Sequence, residues 1–534
     1  MLNKNFSHRD FIKGSALAMF SLAATNFLPA SVQAANPCKV KLRQGIYNGF
    51  VDEQGIQTWQ GIPYAKPPVG NLRWRAPEKL EAGNKEFDAK NFGYSAIQEE
   101  DETEYASLLP QSEDCLTLNI WTRGVEGKKP VMVFIHGGAF IVGGSGDPIY
   151  NGSKLAAHDV VVVTINYRLN IFGFMNFAEI DPAFEDTGYL GIKDQVAALD
   201  WVKENISAFG GDPDNVTIFG ESAGAASVML LMVLPQAKGL FQKVISQSGH
   251  LAMYHTFNQS SELARTFMNL SGCKNMRELM NKPAGELLKA YLKLCEENPY
   301  TADVDLFPTC DGKYLPLHPL KALADGAAKD VKLLSGTNAD EYRYWLLYFP
   351  DLFEKLRQFH AKTVPEIYEG GLAEPDSIYQ KWRKIHPEYD SLSRDLRYLE
   401  FANQLDWRVG QELTAEYQSN FNDVYYYLCS QEATNKALDL RSCHAIDLPF
   451  VFGTRNEQLD DNPSVDLTKK VQATWTAFAK NGTPDNALIP TWKKYSAADR
   501  ETMEINSKAW TLHKDLNTLD LTELRGVYES RLLD

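Results

Sequence analysis

The chain of 534 residues predicts an α/β fold with a large central, mostly parallel sheet flanked by helices. Three observations carry that prediction. Apolar runs of strand length recur without polar interruption, amphipathic helical patterns lie between them, and one run passes through a glycine-flanked serine straight into a helix. Strands covered on both faces need continuous apolar side chains rather than alternation, as in a parallel sheet between helical layers. With 44% hydrophobic and 11% aromatic residues the chain can bury a large core. No Ser/Gly linker, internal repeat or low-complexity block follows residue 38, so one domain over residues 35–534, with insertions, is expected.

The first residues read as an export signal over 1–34. Lys4, Arg9 and Lys13 precede an apolar stretch from Gly14 to Leu28 that is short for a bilayer, and Val32-Gln33-Ala34 offers small residues for cleavage. Ser7–Lys13 is similar to the twin-arginine export motif, with His8 in place of the first arginine, which leaves the route open between that pathway and the general one. The expected location is periplasmic or secreted. No other apolar stretch reaches spanning length, so no membrane insertion is expected once the signal is removed.

Six runs read as buried strands: Val131–Ile135, Val160–Ile165, Val216–Phe219, Lys243–Ser246, Lys332–Leu334 and Val424–Leu428. Asp194–Ile206 reads as an amphipathic helix, because Val196, Leu199, Val202 and Ile206 recur at helical spacing. Two stretches, about 260–297 and 342–418, are rich in helix formers and charges and carry no comparable strand. They read as helical insertions covering the sheet's carboxyl edge, where ligands of open α/β sheets bind.

The net charge of −15 becomes −17 once residues 1–34, with three Lys/Arg and one Asp, are removed. Such a surface repels nucleic acid and excludes it as a partner. Seven cysteines with no C-x-x-C spacing argue against a metal site, and at least one must stay unpaired within a monomer.

The chemistry is concentrated in Gly220-Glu221-Ser222-Ala223-Gly224. A sharp strand-to-helix turn there lifts the serine hydroxyl clear of the sheet, with a helix N-terminus behind it. A serine needs a base, and the base needs an orienting carboxylate; in this arrangement the chain order is serine, acid, histidine. Past the Lys332–Leu334 run, Ser335–Glu341 reads as a turn ending in two carboxylates, and position alone does not choose between Asp340 and Glu341. Among ten histidines, His444 is the one that follows the strongest late strand. His136-Gly137-Gly138-Ala139-Phe140 follows another strand and can aim backbone amides at an oxyanion, with the Ala223 amide as a further donor. No Gly-Lys-Ser/Thr follows to make it a phosphate cradle.

Together these residues resemble the type-B carboxylesterase/lipase family, whose fold is the α/β-hydrolase fold. The match covers nearly the whole chain after residue 34. It includes Phe209-Gly210-Gly211-Asp212-Pro213-Asp214-Asn215 ahead of the elbow, Glu113–Ile120, Gly61–Ala65, Pro67–Gly70, Asn166–Leu169, Gln247-Ser248-Gly249, and Trp475 with Phe478-Ala479. The resemblance implies a serine esterase acting through an acyl-enzyme on small-molecule carboxylic esters, without metal or organic cofactor. It assigns the acid to Glu341, the base to His444 and the oxyanion amides to Gly138, Ala139 and Ala223. It places Glu221, Ser248 and Asp447 in the hydrogen bonds around them, and implies ion pairs Arg73–Glu113 and Arg168–Asp194.

Departures from the family are equally specific. Tyr342 stands where a glycine usually follows the acid, and Arg441-Ser442 replaces a small pair ahead of the histidine. Both are expected at the pocket rim. Cys115 matches a family half-cystine whose partner region, Tyr94–Gln98, has no cysteine, so that disulfide is not expected. A non-catalytic binding member of the fold and a lipase activated at an oil–water interface are the alternatives. The intact serine, glutamate and histidine argue against the first.

Overall fold

All six apolar runs become neighbouring strands of one sheet. The structure is a computed structural model that describes residues 38–99, 107, 109–297, 306–349, 351–363, 377–435, 439–456, 459, 463–516 and 525–526. The expected export signal lies outside the described residues. In chain order the strands are β1 (Lys39–Leu42), β2 (Gly45–Asn48), β3 (Phe50–Val51), β4 (Gln57–Pro63), β5 (Lys85–Asp88), β6 (Thr117–Thr122), β7 (Lys129–Ile135) and β8 (Val161–Ile165). They continue as β9 (Gly211–Glu221), β10 (Lys243–Gln247), β11 (His255–Thr256), β12 (Thr309–Cys310), β13 (Lys332–Asn338), β14 (Val424–Cys429), β15 (Glu501–Ile505) and β16 (Trp510–Lys514).

Eleven of them form the main sheet, in the order β16-β15-β14-β13-β10-β9-β7-β8-β6-β4-β3. Every neighbouring pair from β15 to β8 is parallel. Antiparallel strands close both ends. Along β7, Val131, Val133 and Ile135 enter one core while Met132 and Phe134 enter the other. Each such side chain contributes about 1.5–3 kcal/mol on burial, which is why unbroken apolar runs settle in the middle of the sheet.

Two strands depart from the expectation. Ser335–Asn338 belongs to β13 rather than to the turn that follows it. These residues are small and polar yet buried, because Ser335 bonds to Gln411 and a side chain at Gly336 would meet the Tyr427 ring at 2.4 Å. β6 escaped the apolar-run criterion because Asn119 interrupts it. That amide is satisfied inside the core by Ser145 Oγ at 3.1 Å and Thr164 Oγ1 at 3.0 Å.

The helix expected at Asp194–Ile206 runs over Leu190–Asn205. Both insertions are helical. The first contains Phe257–Ser271, Met276–Asn281 and Ala284–Glu297; the second contains Leu352–Thr363, Ser377–Ile385, Arg394–Ala402 and Val409–Ser419, with a wide π turn at Asn403–Arg408 before the last. Arg168 grips both oxygens of Asp194, at 2.8 and 2.7 Å, in a buried pair. Arg73 grips Glu113 at 2.6 and 2.5 Å and also donates to the carbonyls of Met280 and Lys282, tying the first insertion to the body. Among the described residues no helix is long and apolar enough to cross a membrane.

Candidate active site

Ser222 sits where β9 ends and the helix Ala223–Val233 begins, with φ 57° and ψ −123°. The strain of that backbone, about 1–3 kcal/mol, falls on the serine itself. Neither flanking glycine adopts a positive φ. A methyl group at Gly224 would stand 2.0 Å from the Ile135 carbonyl oxygen, and one at Gly220 would stand 2.4 Å from Gly224. They let strand and helix approach closely enough for the turn to close. The Ser222 amide is held by the Gln247 carbonyl of β10 at 2.9 Å.

The segments that follow β13 and β14 bring Glu341 and His444 together. His444 Nδ1 lies 2.6 Å from Glu341 Oε2, and the His444 amide donates to the Glu341 carbonyl at 3.2 Å. The other carboxylate oxygen, Oε1, accepts from Ser248 Oγ at 2.6 Å and from the Asn338 amide at 2.7 Å. Asp340 turns the other way, accepting from the Ser442 amide at 3.2 Å and facing Arg343 and Arg441. The pair left open by sequence position is thereby separated: Glu341 meets the imidazole and Asp340 does not.

On the far side of the ring, Nε2 is 3.1 Å from Oε1 of Glu221, the residue before Ser222. Burial pulls the His444 pKa down, but Glu221, then Glu341, then Asp447 oppose it, and the result lies above the ordinary imidazole value. Asp447 accepts from Gln247 Nε2 at 2.7 Å and from the Tyr427 hydroxyl at 3.1 Å, and burial raises its carboxyl pKa. Of the residues expected around the triad, Ser248 and Glu221 reach it directly, and Asp447 connects through Gln247 and Asn338.

Beyond β7 the glycine-rich turn holds Gly138, Ala139 and Phe140 at φ 99°, 53° and 62°. A side chain at Gly138 would collide with the Val142 carbonyl oxygen at 2.2 Å. The Gly138 carbonyl accepts from the amides of Ile141 and Val142 at 2.9 and 3.0 Å. Among the described residues, the loop hydrogen bonds leave the amides of Gly138 and Ala139 unused. Ala223 opens its helix, where an amide has no acceptor one turn back. His136 stacks on Tyr167, and burial lowers its pKa to about 4, so it stays neutral at ordinary pH.

Sequence reading did not anticipate Asn338, Gln247 or Tyr427 as parts of this hydrogen-bond web, nor Trp345 and Trp407, whose rings pack on each other and against His444. Trp345 carried a usable signal, since it stands one turn beyond the acid in the helical segment Glu341–Leu347. Trp407 carried none, because only folding of the second insertion brings it here.

Residues 36–522 match the model of the carboxylesterase family. The para-nitrobenzyl esterase of Bacillus subtilis (strain 168) is 39% identical over 474 residues, covering 85% of this chain and 92% of that protein. The Geobacillus stearothermophilus carboxylesterase EST55 superposes with a TM-score of 0.80 at 34% identity, over 92% of this chain and 99% of that one. A structure of a PNB esterase superposes with a TM-score of 0.78 at 35% identity. With a fold, a chain order and a sequence that agree over this length, the protein belongs to the carboxylesterase family and is a carboxylic ester hydrolase.

Proposed function

We propose that Ser222, His444 and Glu341 form the catalytic triad of this esterase, with the Gly138, Ala139 and Ala223 amides as its oxyanion hole. The observation that carries the reading is the 2.6 Å contact of His444 Nδ1 with Glu341 Oε2, with Nε2 turned toward the residue before Ser222. His444 Nε2 takes the Ser222 proton as Oγ attacks the ester carbonyl, and Glu341 steadies the imidazolium. The amides hold the oxyanion of the tetrahedral intermediate. Protonated His444 then gives its proton to the leaving alcohol, and water, activated by the same imidazole, frees the acid from Ser222.

The substrate is a small carboxylic ester, a reading that the name of the para-nitrobenzyl esterase relative supports. Residues 35–534 act as a single domain. Residues 1–34 direct export to the periplasm or beyond, which the N-terminal sequence of the protein recovered outside the cytoplasm would test. For the triad, Ser222→Ala assayed on a short para-nitrophenyl ester should lose about 10⁶ in kcat. Undiminished turnover would refute the assignment.

A further inference from the structure

The turn that follows β7 is gripped by one buried side chain from a segment distant in sequence. Gln98 is 1% exposed, and its carboxamide meets both backbone groups of Gly143. The Gly143 amide donates to Gln98 Oε1 at 2.8 Å, and Gln98 Nε2 donates to the Gly143 carbonyl at 2.9 Å. Oε1 also accepts from the Ser107 amide at 3.2 Å, and Nε2 also donates to the Ala96 carbonyl at 3.0 Å. Turning the carboxamide over would set its oxygen against two carbonyls and its nitrogen against two amides, so these bonds fix its orientation.

Gly143 lies beyond Gly138 in the chain but packs back on the start of the turn. A side chain there would meet His136 Nδ1 at 2.6 Å and the Gly137 carbonyl oxygen at 2.9 Å, and its φ of 107° calls for glycine. The peptide between Val142 and Gly143 faces two ways. Its carbonyl oxygen abuts Gly138, where an added methyl group would stand 2.2 Å from it, and its N–H is the group that Gln98 Oε1 accepts. Asn170 adds a second tie to the same segment. Its amide donates to the Phe140 carbonyl at 2.7 Å, and its Nδ2 donates to the carbonyls of Ile97 and Ile141 at 2.6 and 3.3 Å. The segment carrying Gln98 is itself fastened, the Ser95 amide donating to the Pro110 carbonyl at 3.0 Å and the Gln98 amide to Gln111 Oε1 at 2.9 Å.

We propose that Gln98 is a positioning residue for the oxyanion hole, holding the Val142–Gly143 peptide so that the Gly138 and Ala139 amides keep their aim at the reacting carbonyl. The inference rests on the reading of those amides as oxyanion donors. Such a donor works only where its N–H already points when charge develops, and a displacement of about an ångström costs on the order of 10² in rate. A turn rich in glycine has little side chain of its own with which to resist that displacement. The Gln98 carboxamide supplies the restraint through Gly143 and occupies neither the Gly138 nor the Ala139 amide.

The test compares Gln98→Met and Gln98→Asn with the parent, in the full chain. Methionine fills a similar volume without the bonds to Gly143, and asparagine keeps the carboxamide but draws it back by one methylene group. Gln98→Met should lower kcat about thirtyfold, less than loss of a whole donor, with KM changed by no more than about twofold. Gln98→Asn should lower kcat about tenfold, and it keeps the test decisive if the methionine variant does not fold. A trifluoromethyl ketone probes the hole directly. Ser222 Oγ bonds to its carbonyl carbon, the serine proton passes to His444, and the carbonyl oxygen becomes the oxyanion. Affinity for this ketone should fall in each variant by the same factor as kcat, while the midpoint of the kcat/KM–pH profile stays in place, because none of the Gln98 bonds reaches His444. An unchanged kcat, a midpoint that moves, or a lowered kcat with the parent's affinity for the ketone would overturn the role of Gln98. A parent that binds the trifluoromethyl ketone no more tightly than the corresponding methyl ketone would overturn the oxyanion hole itself, and the role of Gln98 with it.

Discussion

Glu221 Oε1 stands 3.1 Å from His444 Nε2, so the residue immediately before the elbow serine places a second carboxylate against the ring already paired with Glu341. Both acids hold the proton on, against the pull of burial. In the proposed mechanism His444 must be neutral to accept the Ser222 proton, so kcat/KM should rise with pH through a midpoint above about 6.5. In Glu221→Gln one of the raising charges is gone and the midpoint should fall, as a pH profile on a neutral ester would record. An unmoved midpoint would remove Glu221 from the electrostatics of the site.

Ser248 Oγ and the Asn338 amide both donate to Glu341 Oε1. Hydrogen bonds to a buried carboxylate keep it ionised and fix its direction. Ser248→Ala should lower kcat about tenfold, as expected for one hydrogen bond to a charged group, with little change in KM. Steady-state kinetics on the purified variant would check this.

Ala139 is an L-residue at φ 53°, in the glycine-rich turn after β7. The left-handed region costs a side-chain-bearing residue about 1–2 kcal/mol, partly offset by the greater unfolded freedom of glycine. Ala139→Gly should therefore raise stability by up to about 1 kcal/mol and keep the esterase rate, because the donor proposed there is the backbone amide. Denaturant melts and a rate assay on the same preparation would show it.

Glu412 is buried against β13 and β14, and burial raises its pKa to about 7 despite Arg408 nearby. The sign follows from proton counting. The unfolded chain gives up this proton near about 4.3 while the folded chain keeps it to higher pH, so stability is lost as pH rises across that interval. Glu412→Gln mimics the protonated form, and its melting temperature should gain on the parent between pH 4 and pH 8. Parallel pH dependences would contradict the assignment.

The parallel centre of the sheet was legible because burial on two faces leaves a one-dimensional trace, and Val131–Ile135 and Val160–Ile165 show it plainly. β6 and the second half of β13 left weaker traces, since Asn119 and Ser335 reach burial through partners distant in sequence. Ser222 and His444 could be picked out as candidates from local motif and chain order. Choosing Glu341 over Asp340 needed either the family pattern or the geometry, because the two carboxylates differ only in which way the turn faces them. Tyr342 gave no sign in the sequence of the segment it bonds to. Its partners, Asn403 and Asp406, sit some sixty positions away in a π turn that no periodicity announces.

The most direct measurement is to quench the enzyme within the first turnovers of a para-nitrophenyl ester and map the acylated peptide by mass spectrometry. The account predicts one acyl group on the peptide bearing Ser222, released as the burst decays and missing in Ser222→Ala. An acyl group on another residue, or turnover that persists in Ser222→Ala with no covalent intermediate, would contradict it.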